Sequence, residues 1–234
     1  MPETGPFKID AIPPAISPIS GFTPDGQQGW FDNSPAVGTV SAADDISGIA
    51  SIDCTDDLNG LTVTGSGESR ALTVNGSGIQ HLRCTATNVA GNTSAPTTLT
   101  VKIDATPPSC TAAATPQSLW PPNHQLAGVT VSLKASAGVS GLQSITGMQA
   151  SSNEDNTDIA ANVQGLGIRQ THPPAAPDST GPASYMSTAT GQVRSERFGN
   201  SSGRIYTLMY TVANMAGSTA PCAATITVPH DQGG

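Results

Sequence analysis

The sequence predicts an all-β protein that is built from two tandem β-sandwich domains. Three observations predict this fold class: a composition poor in helix formers, short segments in which apolar and polar residues alternate, and a motif that occurs twice. Of the 234 residues, 25 are Gly and 19 are Pro, and charged residues make up only 11%. This composition argues against a helical bundle, a coiled coil and a Rossmann-type enzyme.

An internal repeat divides the chain into two parts. The segment 8–14 returns at 102–108 with one change, since Thr106 takes the place of Ile12. Self-similarity of this kind marks a repeated structural unit, so the sequence predicts two copies of one module. Two weaker echoes follow in the same order: 46–49 against 139–142, and 85–91 against 211–217.

The repeat sets the predicted domain limits. Residues 1–7 are expected to be a linker or an added N-terminal segment, residues 8–104 the first domain and residues 105–234 the second. The second domain carries an insert at about 151–183 that contains several prolines. A connection of this length is either a functional loop or a flexible decoration.

Alternating segments predict the strands. Leu99, Val101 and Ile103 alternate with polar residues, and turn motifs such as Asn59-Gly60 separate the segments. The first domain is predicted to hold seven strands, A to G, at 15–19, 36–42, 49–55, 60–65, 70–75, 79–87 and 96–103. The second is predicted to hold strands A, B, C, E, F and G at 110–115, 127–134, 141–150, 187–197, 204–213 and 222–228.

Charge and hydropathy exclude two classes of partner. The formal net charge is −8, whereas a nucleic-acid binder normally needs a basic face. No run of about 18 apolar residues occurs, so no membrane insertion is expected.

Four cysteines occur, and none forms the C-x-x-C spacing of a zinc or redox site. Their even number allows three disulfide pairings and suits an extracellular or periplasmic protein. The alternative is a cytosolic protein with four free thiols. The four are Cys54, Cys84, Cys110 and Cys222.

Several segments resemble the immunoglobulin-like repeats of secreted and surface proteins of bacteria. In the first domain the resembling segments are 29–35, 44–50 and 84–92. In the second domain they are 119–124, 204–208 and 228–232, which are similar to a related type found at the ends of large exported proteins. The resemblance implies two tandem immunoglobulin-like β-sandwiches and an extracellular or cell-surface location.

The same resemblance implies a non-catalytic structural or adhesion spacer within a larger secreted or surface protein. Its partner would be the remainder of the parent polypeptide, with a glycan or a cell-surface protein as a further candidate. The alternative is a carbohydrate- or protein-binding accessory domain of a secreted enzyme. Fold alone does not decide between these functions.

The implied fold also selects one disulfide pairing. Strands C and F are neighbours in this fold, so Cys54 and Cys84 are expected to form a bridge. Cys110 opens strand A and Cys222 opens strand G of the second domain, and both lie near one pole. The expected second bridge is therefore Cys110–Cys222.

Calcium is the one candidate cofactor, although none is expected to be required. The fold places the entry to strand A and the B–C and F–G loops at one pole. In the first domain these segments carry hard oxygen ligands of the kind that Ca²⁺ prefers: Asp10, Asp44, Asp45, Asn88 and Asn92. The alternative is a solvated acidic loop cluster. In the second domain Ala137 and Gly138 occupy two of the acidic positions.

Other chemistry has weaker sequence support. Trp30 and Trp120 are the candidates for a sugar-binding aromatic platform, against the alternative that both rings cap the core. The segment 199–203, Gly-Asn-Ser-Ser-Gly, matches Gly-x-Ser-x-Gly, but it is interpreted as a turn between two predicted strands, without the strand–turn–helix context of a nucleophile, so no catalytic residue is predicted. His124 and His230 are expected to be turn residues, with a metal site that includes His172 as the alternative.

Overall fold

The computed structural model describes residues 9–171 and 184–231. It forms two compact units, Met1–Ala105 (unit 1) and Thr106–Gly234 (unit 2). Each unit has its own cluster of buried apolar side chains, so each contains a separate core.

Unit 1 is a sandwich of two four-stranded sheets, with the strand orders β1-β3-β6-β5 and β2-β8-β7-β4. All pairings are antiparallel except that of β2 with β8. Apart from β2, this order places strands A, B, E and D on one sheet and G, F and C on the other, which is the constant-type immunoglobulin arrangement. The strands are β1 Ala15–Ile16, β2 Trp30–Phe31, β3 Ala36–Ala43, β4 Ile49–Thr55, β5 Leu61–Thr64, β6 Ser69–Val74, β7 Gly78–Asn88 and β8 Thr97–Ile103.

The core of unit 1 follows from alternation along the strands. Every second residue of β3 is buried, because successive side chains of a strand point to opposite faces of the sheet. Leu72 from one sheet and Leu82 and Ile103 from the other are fully buried, and they pack with the side chain of Cys84 between the sheets.

Unit 2 has the same order of strands A, B, E and D and of G, F and C, in the sheets β12-β14-β10-β9 and β13-β11-β15-β16. Its additional strand β13 pairs with the C strand β11, whereas β2 of unit 1 pairs with the G strand β8. Its core is larger and contains Tyr206 and Tyr210 from β15. The elements are β9 Ser109–Thr115, β10 Leu126–Ser136, β11 Leu142–Ser152, α1 Ile159–Asn162, β12 Val163–Gln164, β13 Ile168–Thr171, β14 Tyr185–Arg194, β15 Gly203–Asn214 and β16 Thr219–Pro229.

The predicted strands match the observed ones to within three residues at each end. One strand of unit 1, β2, was not predicted, because two residues are too few to show alternation. The predicted insert is partly structured, since α1, β12 and β13 lie within it, and its residues 172–183 lie outside the described residues. The interpretation of the whole insert as a loop is therefore corrected.

The described part of the insert is anchored in the core of unit 2. Val163 and Leu166 are buried, and the hydroxyl of Tyr210 donates a hydrogen bond to the carbonyl of Leu166 at 3.0 Å. Gly191 of β14 permits the close approach of β12, because a Cβ atom there would collide with the backbone carbonyl of Gln164. The insert thereby supplies the strand in the D position of this sandwich.

Candidate functional site

Two disulfide bridges, Cys54–Cys84 and Cys110–Cys222, use all four cysteines, as the resemblance implied. Cys54 and Cys84 lie directly opposite each other on β4 and β7, with their Cα atoms 4.1 Å apart. Cys110 on β9 and Cys222 on β16 join the first and last strands of unit 2, with 5.3 Å between their Cα atoms. The second bridge therefore encloses almost the whole unit in one covalent loop.

Three chain segments of unit 1 meet at Asn88, whose side chain is buried at the end of β7. Its Nδ2 atom donates to Oδ2 of Asp10 at 2.9 Å and to Oδ2 of Asp44 at 3.1 Å. Its Oδ1 atom accepts the backbone N–H of Asn92 at 2.8 Å, and the amide of Asn92 donates to the carbonyl of Asp10 at 2.9 Å. The hydroxyl of Ser47 adds a hydrogen bond to Asp10 Oδ2 at 2.6 Å. We call these five residues the pole cluster.

Asp44 is held ionised by its hydrogen bonds. The side-chain amide of Asn88 is the largest cause, and the backbone N–H groups of Ser47 and Gly48, at 2.8 and 2.9 Å, add to it. Together they lower the pKa of Asp44 from 3.8 to about 2, because each donor stabilises the charged form. The carboxylate thus closes the β3–β4 turn at neutral pH.

Four of the five predicted calcium ligands belong to the pole cluster, but their donor atoms do not fit the ion in this arrangement. The amides of Asn88 and Asn92 turn their nitrogen atoms toward the other segments, whereas calcium takes six to eight oxygen ligands. Asp45 is exposed and has no hydrogen bond to the cluster among the described residues. Nowhere in residues 9–171 and 184–231 do three His, Cys, Asp or Glu side chains lie close enough to hold a metal. A role for calcium stays a prediction.

The equivalent turn of unit 2 has the same hydrogen bonds around Asn214. Its backbone N–H donates to the carbonyl of Ser218 at 3.0 Å, as Asn88 donates to Asn92 at 3.0 Å. Its Oδ1 accepts the N–H of Ser218 at 2.9 Å. In both units the next N–H bonds a glycine carbonyl across the pole at 3.0 Å, Val89 to Gly48 and Met215 to Gly141. The two similar sequence segments at 85–91 and 211–217 therefore form the same turn.

Unit 2 also contains a buried ionic network that the sequence analysis missed. The guanidinium of Arg204 donates from Nε to Glu154 at 2.8 Å and from Nη1 to Glu196 at 2.9 Å. Its Nη1 also donates to the hydroxyl of Tyr206 at 3.1 Å, and Glu196 accepts the amide of Asn162 at 3.0 Å. Only 4% of the side-chain surface of Arg204 and of Glu154 is exposed.

The network satisfies both buried charges. Burial opposes the ionisation of Glu154, but hydrogen bonds from Ser201, from the backbone of Phe198 and from Arg204 outweigh it and lower the pKa of Glu154. The sequence does contain a signal for this site. Arg204 lies on the same face of β15 as the buried Tyr206, Leu208 and Tyr210, because residues two apart on a strand share a face. A charge on the buried face of a strand requires a partner.

The two tryptophans differ in environment. Trp30 is 7% exposed, and the ammonium of Lys102 lies 5.8 Å from the centroid of its ring. Its ring is therefore not available as a sugar platform. Trp120 is 43% exposed and borders a recess of about 340 Å³ that Asn123 and Gln125 also line.

The described histidines each lie beside an acidic residue at the surface. His124 Nδ1 is 3.5 Å from Glu196, and His230 Nδ1 is 3.7 Å from Asp231. His172 lies outside the described residues. Over residues 9–171 and 184–231, no helix is long and apolar enough to cross a membrane.

Searches of protein families and of curated proteins found no match to the chain. Among solved structures, it is similar to the D00–D0 domains of intimin, with a TM-score of 0.39 and 11% identity over 91% of this chain and 99% of that one. It is also similar to fibronectin(III)-like modules of CbhA from Clostridium thermocellum, with a TM-score of 0.30 and 11% identity over 92% and 94%.

A third similar structure is the sialic-acid-binding region of an adhesin from Streptococcus sanguinis SK1, with a TM-score of 0.30 and 11% identity over 92% of this chain and 78% of that one. Because these scores and identities are low, the fold assignment rests on the strand order and register. By that order and register, both units are immunoglobulin-like β-sandwiches.

Proposed function

We propose that the chain is a non-catalytic structural module, a spacer or stalk that holds other parts of a larger secreted or surface protein apart and supports adhesion. The observation that carries this proposal is the bridge between Cys110 on the first strand of unit 2 and Cys222 on the last. The proposed role requires no cofactor, and its direct partner is the remainder of the parent polypeptide.

The bridge gives unit 2 a covalent path for tensile force. A force on the two ends of the unit passes through the sulfur atoms and bypasses the segment between the cysteines, which lie 112 positions apart. That segment cannot extend even if its hydrogen bonds break. A module with this connection keeps its length under load, as a spacer must.

Unit 1 has a non-covalent counterpart between its last strand, β8, and β2, which follows the first strand, β1. Strand β2 pairs in parallel with β8, Trp30 with Lys102 and Phe31 with Ile103, and the N–H of Asp104 donates to the carbonyl of Phe31 at 2.8 Å. Pulling the ends of two parallel paired strands in opposite directions loads all their hydrogen bonds at once. The Cys54–Cys84 bridge lies further inside the unit and shortens the segment that can unravel.

Single-molecule stretching of the full chain tests this proposal. We compare the wild type with a Cys110→Ala/Cys222→Ala variant. At up to about 3.5 Å per residue, loss of the bridge should lengthen the stretched chain by about 390 Å. The matched Cys54→Ala/Cys84→Ala variant should gain only about 100 Å. Equal stretched lengths for the wild type and the first variant would show that the bridge does not carry the load.

A second candidate function is a carbohydrate- or protein-binding accessory module, which the exposure of Trp120 favours. An exposed indole ring beside amide side chains is a common arrangement for stacking and hydrogen bonding to a ligand. A glycan array tests it with Trp120→Ala, and Trp30→Phe is the control. Retention that is lost in Trp120→Ala alone would support this function, and no specific retention by the wild type would exclude the array glycans as ligands.

A further inference from the structure

A groove of about 700 Å³, lined by both polar and apolar side chains, lies on the outer face of the β4–β7–β8 sheet of unit 1. Its lining follows from the strand register. Arg83 of β7 lies between Thr55 of β4 and Thr98 of β8, and His81 lies opposite Thr100 of β8. Residues two apart on a strand share a face, so these side chains form one patch. The volume lies within the range of small-molecule sites.

The acidic residues of the groove already have partners within the protein. Asp57 accepts the backbone N–H of His81 at 2.9 Å, and its other oxygen lies 2.7 Å from Nδ1 of the same residue. These hydrogen bonds lower the pKa of Asp57, so it remains an ionised partner of His81. Asp56 accepts the backbone N–H of Gly60 at 2.8 Å.

Arg83 is the charged group of the groove that has no such partner. It is exposed, and within residues 9–171 and 184–231 its guanidinium forms no ion pair and no hydrogen bond. A guanidinium presents a planar fork of donors that matches the two oxygens of a carboxylate. On either side of this fork stand threonine hydroxyls, each of which can donate and accept a hydrogen bond.

From this juxtaposition we propose that the groove binds a carboxylate-bearing sugar such as a hexuronate. Arg83 holds the carboxylate, and the hydroxyls of Thr98 and Thr100 bond the hydroxyls of the sugar ring. A sugar fits better than an acidic peptide, because the hydroxyls of Thr55, Thr98 and Thr100 lie beside the guanidinium and can bond ring hydroxyls. The site lies in unit 1 and goes beyond the proposed spacer role, so its failure leaves the stretching experiment unaffected.

Nuclear magnetic resonance titration of the full chain tests the proposal with a matched pair of probes. Methyl galacturonoside and methyl galactoside differ only at C6, which is a carboxylate in the first and a hydroxymethyl group in the second. We expect the galacturonoside to bind with a dissociation constant on the order of 1 mM, and to shift the amide signals of Arg83, Thr98 and Thr100. The galactoside should bind about tenfold more weakly, since it lacks the charge-assisted pair.

Two variants make the test specific. Arg83→Gln should weaken galacturonoside binding about tenfold, and Thr98→Val, which keeps the side-chain shape, should weaken it severalfold. Arg70→Gln is the control, because Arg70 lies on the other sheet and donates to the carbonyls of Gly67 and Ser69. The fluorescence of buried Trp30, measured in a Trp120→Phe background, verifies that each variant is folded.

Four results would overturn the proposal. The galactoside could bind as tightly as the galacturonoside, which would remove the role of the carboxylate. Acetate could bind as tightly as the galacturonoside, which would show a bare anion contact without recognition of the sugar. Arg70→Gln could weaken binding as much as Arg83→Gln, which would show an effect of net charge alone. A tetraglutamate peptide could bind more tightly than the sugar, which would assign the groove to an acidic peptide.

Discussion

Removing either disulfide bridge should destabilise its unit by an amount set by the length of the closed loop. In the chain-entropy treatment a bridge stabilises by restricting the unfolded chain, and its effect grows with the logarithm of the loop length. The two bridges span 30 and 112 residues, which correspond to about 3.6 and about 4.8 kcal/mol. Loss of Cys110–Cys222 should therefore cost about 1.2 kcal/mol more than loss of Cys54–Cys84.

The chain supplies a separate reporter for each unit. Its two tryptophans are Trp30 in unit 1 and Trp120 in unit 2. In a Trp120→Phe background, urea unfolding followed by fluorescence reports on unit 1, and in a Trp30→Phe background it reports on unit 2. The Cys54→Ala/Cys84→Ala and Cys110→Ala/Cys222→Ala variants are compared in these backgrounds.

A matched control separates the bridge from the packing of the sulfur atoms. The fully buried side chain of Cys84 also fills space in the core, so alanine leaves a cavity there. The reduced wild type keeps the two sulfur atoms of each bridge and lacks only the bonds between them. An equal or larger loss in unit 1 than in unit 2 under reduction would refute the loop-length reasoning.

Three further predictions concern charged groups and the limit between the units. The free energy of unfolding of unit 1 should fall between about pH 4 and pH 2, because the stability that the lowered pKa of Asp44 contributes is complete above about pH 4 and is lost progressively down to about pH 2. The same fall in the Asp44→Asn variant should be less steep. Glu154→Gln should destabilise unit 2 by about 2 kcal/mol in urea because it removes one of the two carboxylates that pair with the buried guanidinium of Arg204, whereas the exposed Glu68→Gln should be neutral within error. Separate expression of residues 1–104 and 105–234 should give two soluble, β-rich pieces by circular dichroism, and failure of both to fold would show that neither unit is stable without the other.

Much of this fold can be predicted from sequence because its strands are amphipathic and its turns carry glycine. Leu82, Cys84 and Ala86 of β7 alternate with polar residues, and the structure buries all three. Once strands C and F are placed side by side, the pairing of Cys54 with Cys84 follows from register. Local patterns suffice here because each feature depends on residues close together in one strand or its neighbour.

The sites depend on information that local patterns lack. Arg204 lies 50 positions from Glu154, and only the fold shows that the two side chains meet. Trp30 and Trp120 both stand near turns, yet one ring is buried and the other exposed. For Asn88, the residue type predicts a polar contact but not the orientation of the amide. The backbone N–H of Asn92 bonds Oδ1 of Asn88, which leaves Nδ2 to face the carboxylates.

The turns around Asn88 and Asn214 differ in the acidic residues that the calcium prediction requires. Asn214 keeps the same contacts with its turn as Asn88, although Ala137 and Gly138 take the places of Asp44 and Asp45 in unit 2. The turn therefore forms without these acids, and in unit 1 Asp44 accepts hydrogen bonds that the turn already presents. Replacing the side-chain amide of Asn88, which donates hydrogen bonds, with a carboxylate, which accepts them, tests whether the turn forms independently of calcium.

Asn88→Asp would place a third carboxylate against Asp10 and Asp44. It would also remove the amide group that donates a hydrogen bond to each of them. Mutual repulsion should then lower the melting temperature of unit 1 in chelator, and millimolar calcium should restore it, because a cation that binds only the folded state stabilises it by mass action. The fluorescence of Trp30 in a Trp120→Phe background measures this, and Asn75→Asp, away from the cluster, is the control. If calcium raises the melting of the wild type as much as that of Asn88→Asp, the pole cluster already binds the ion, and the hydrogen-bonded arrangement of Asn88 is not its calcium-bound state.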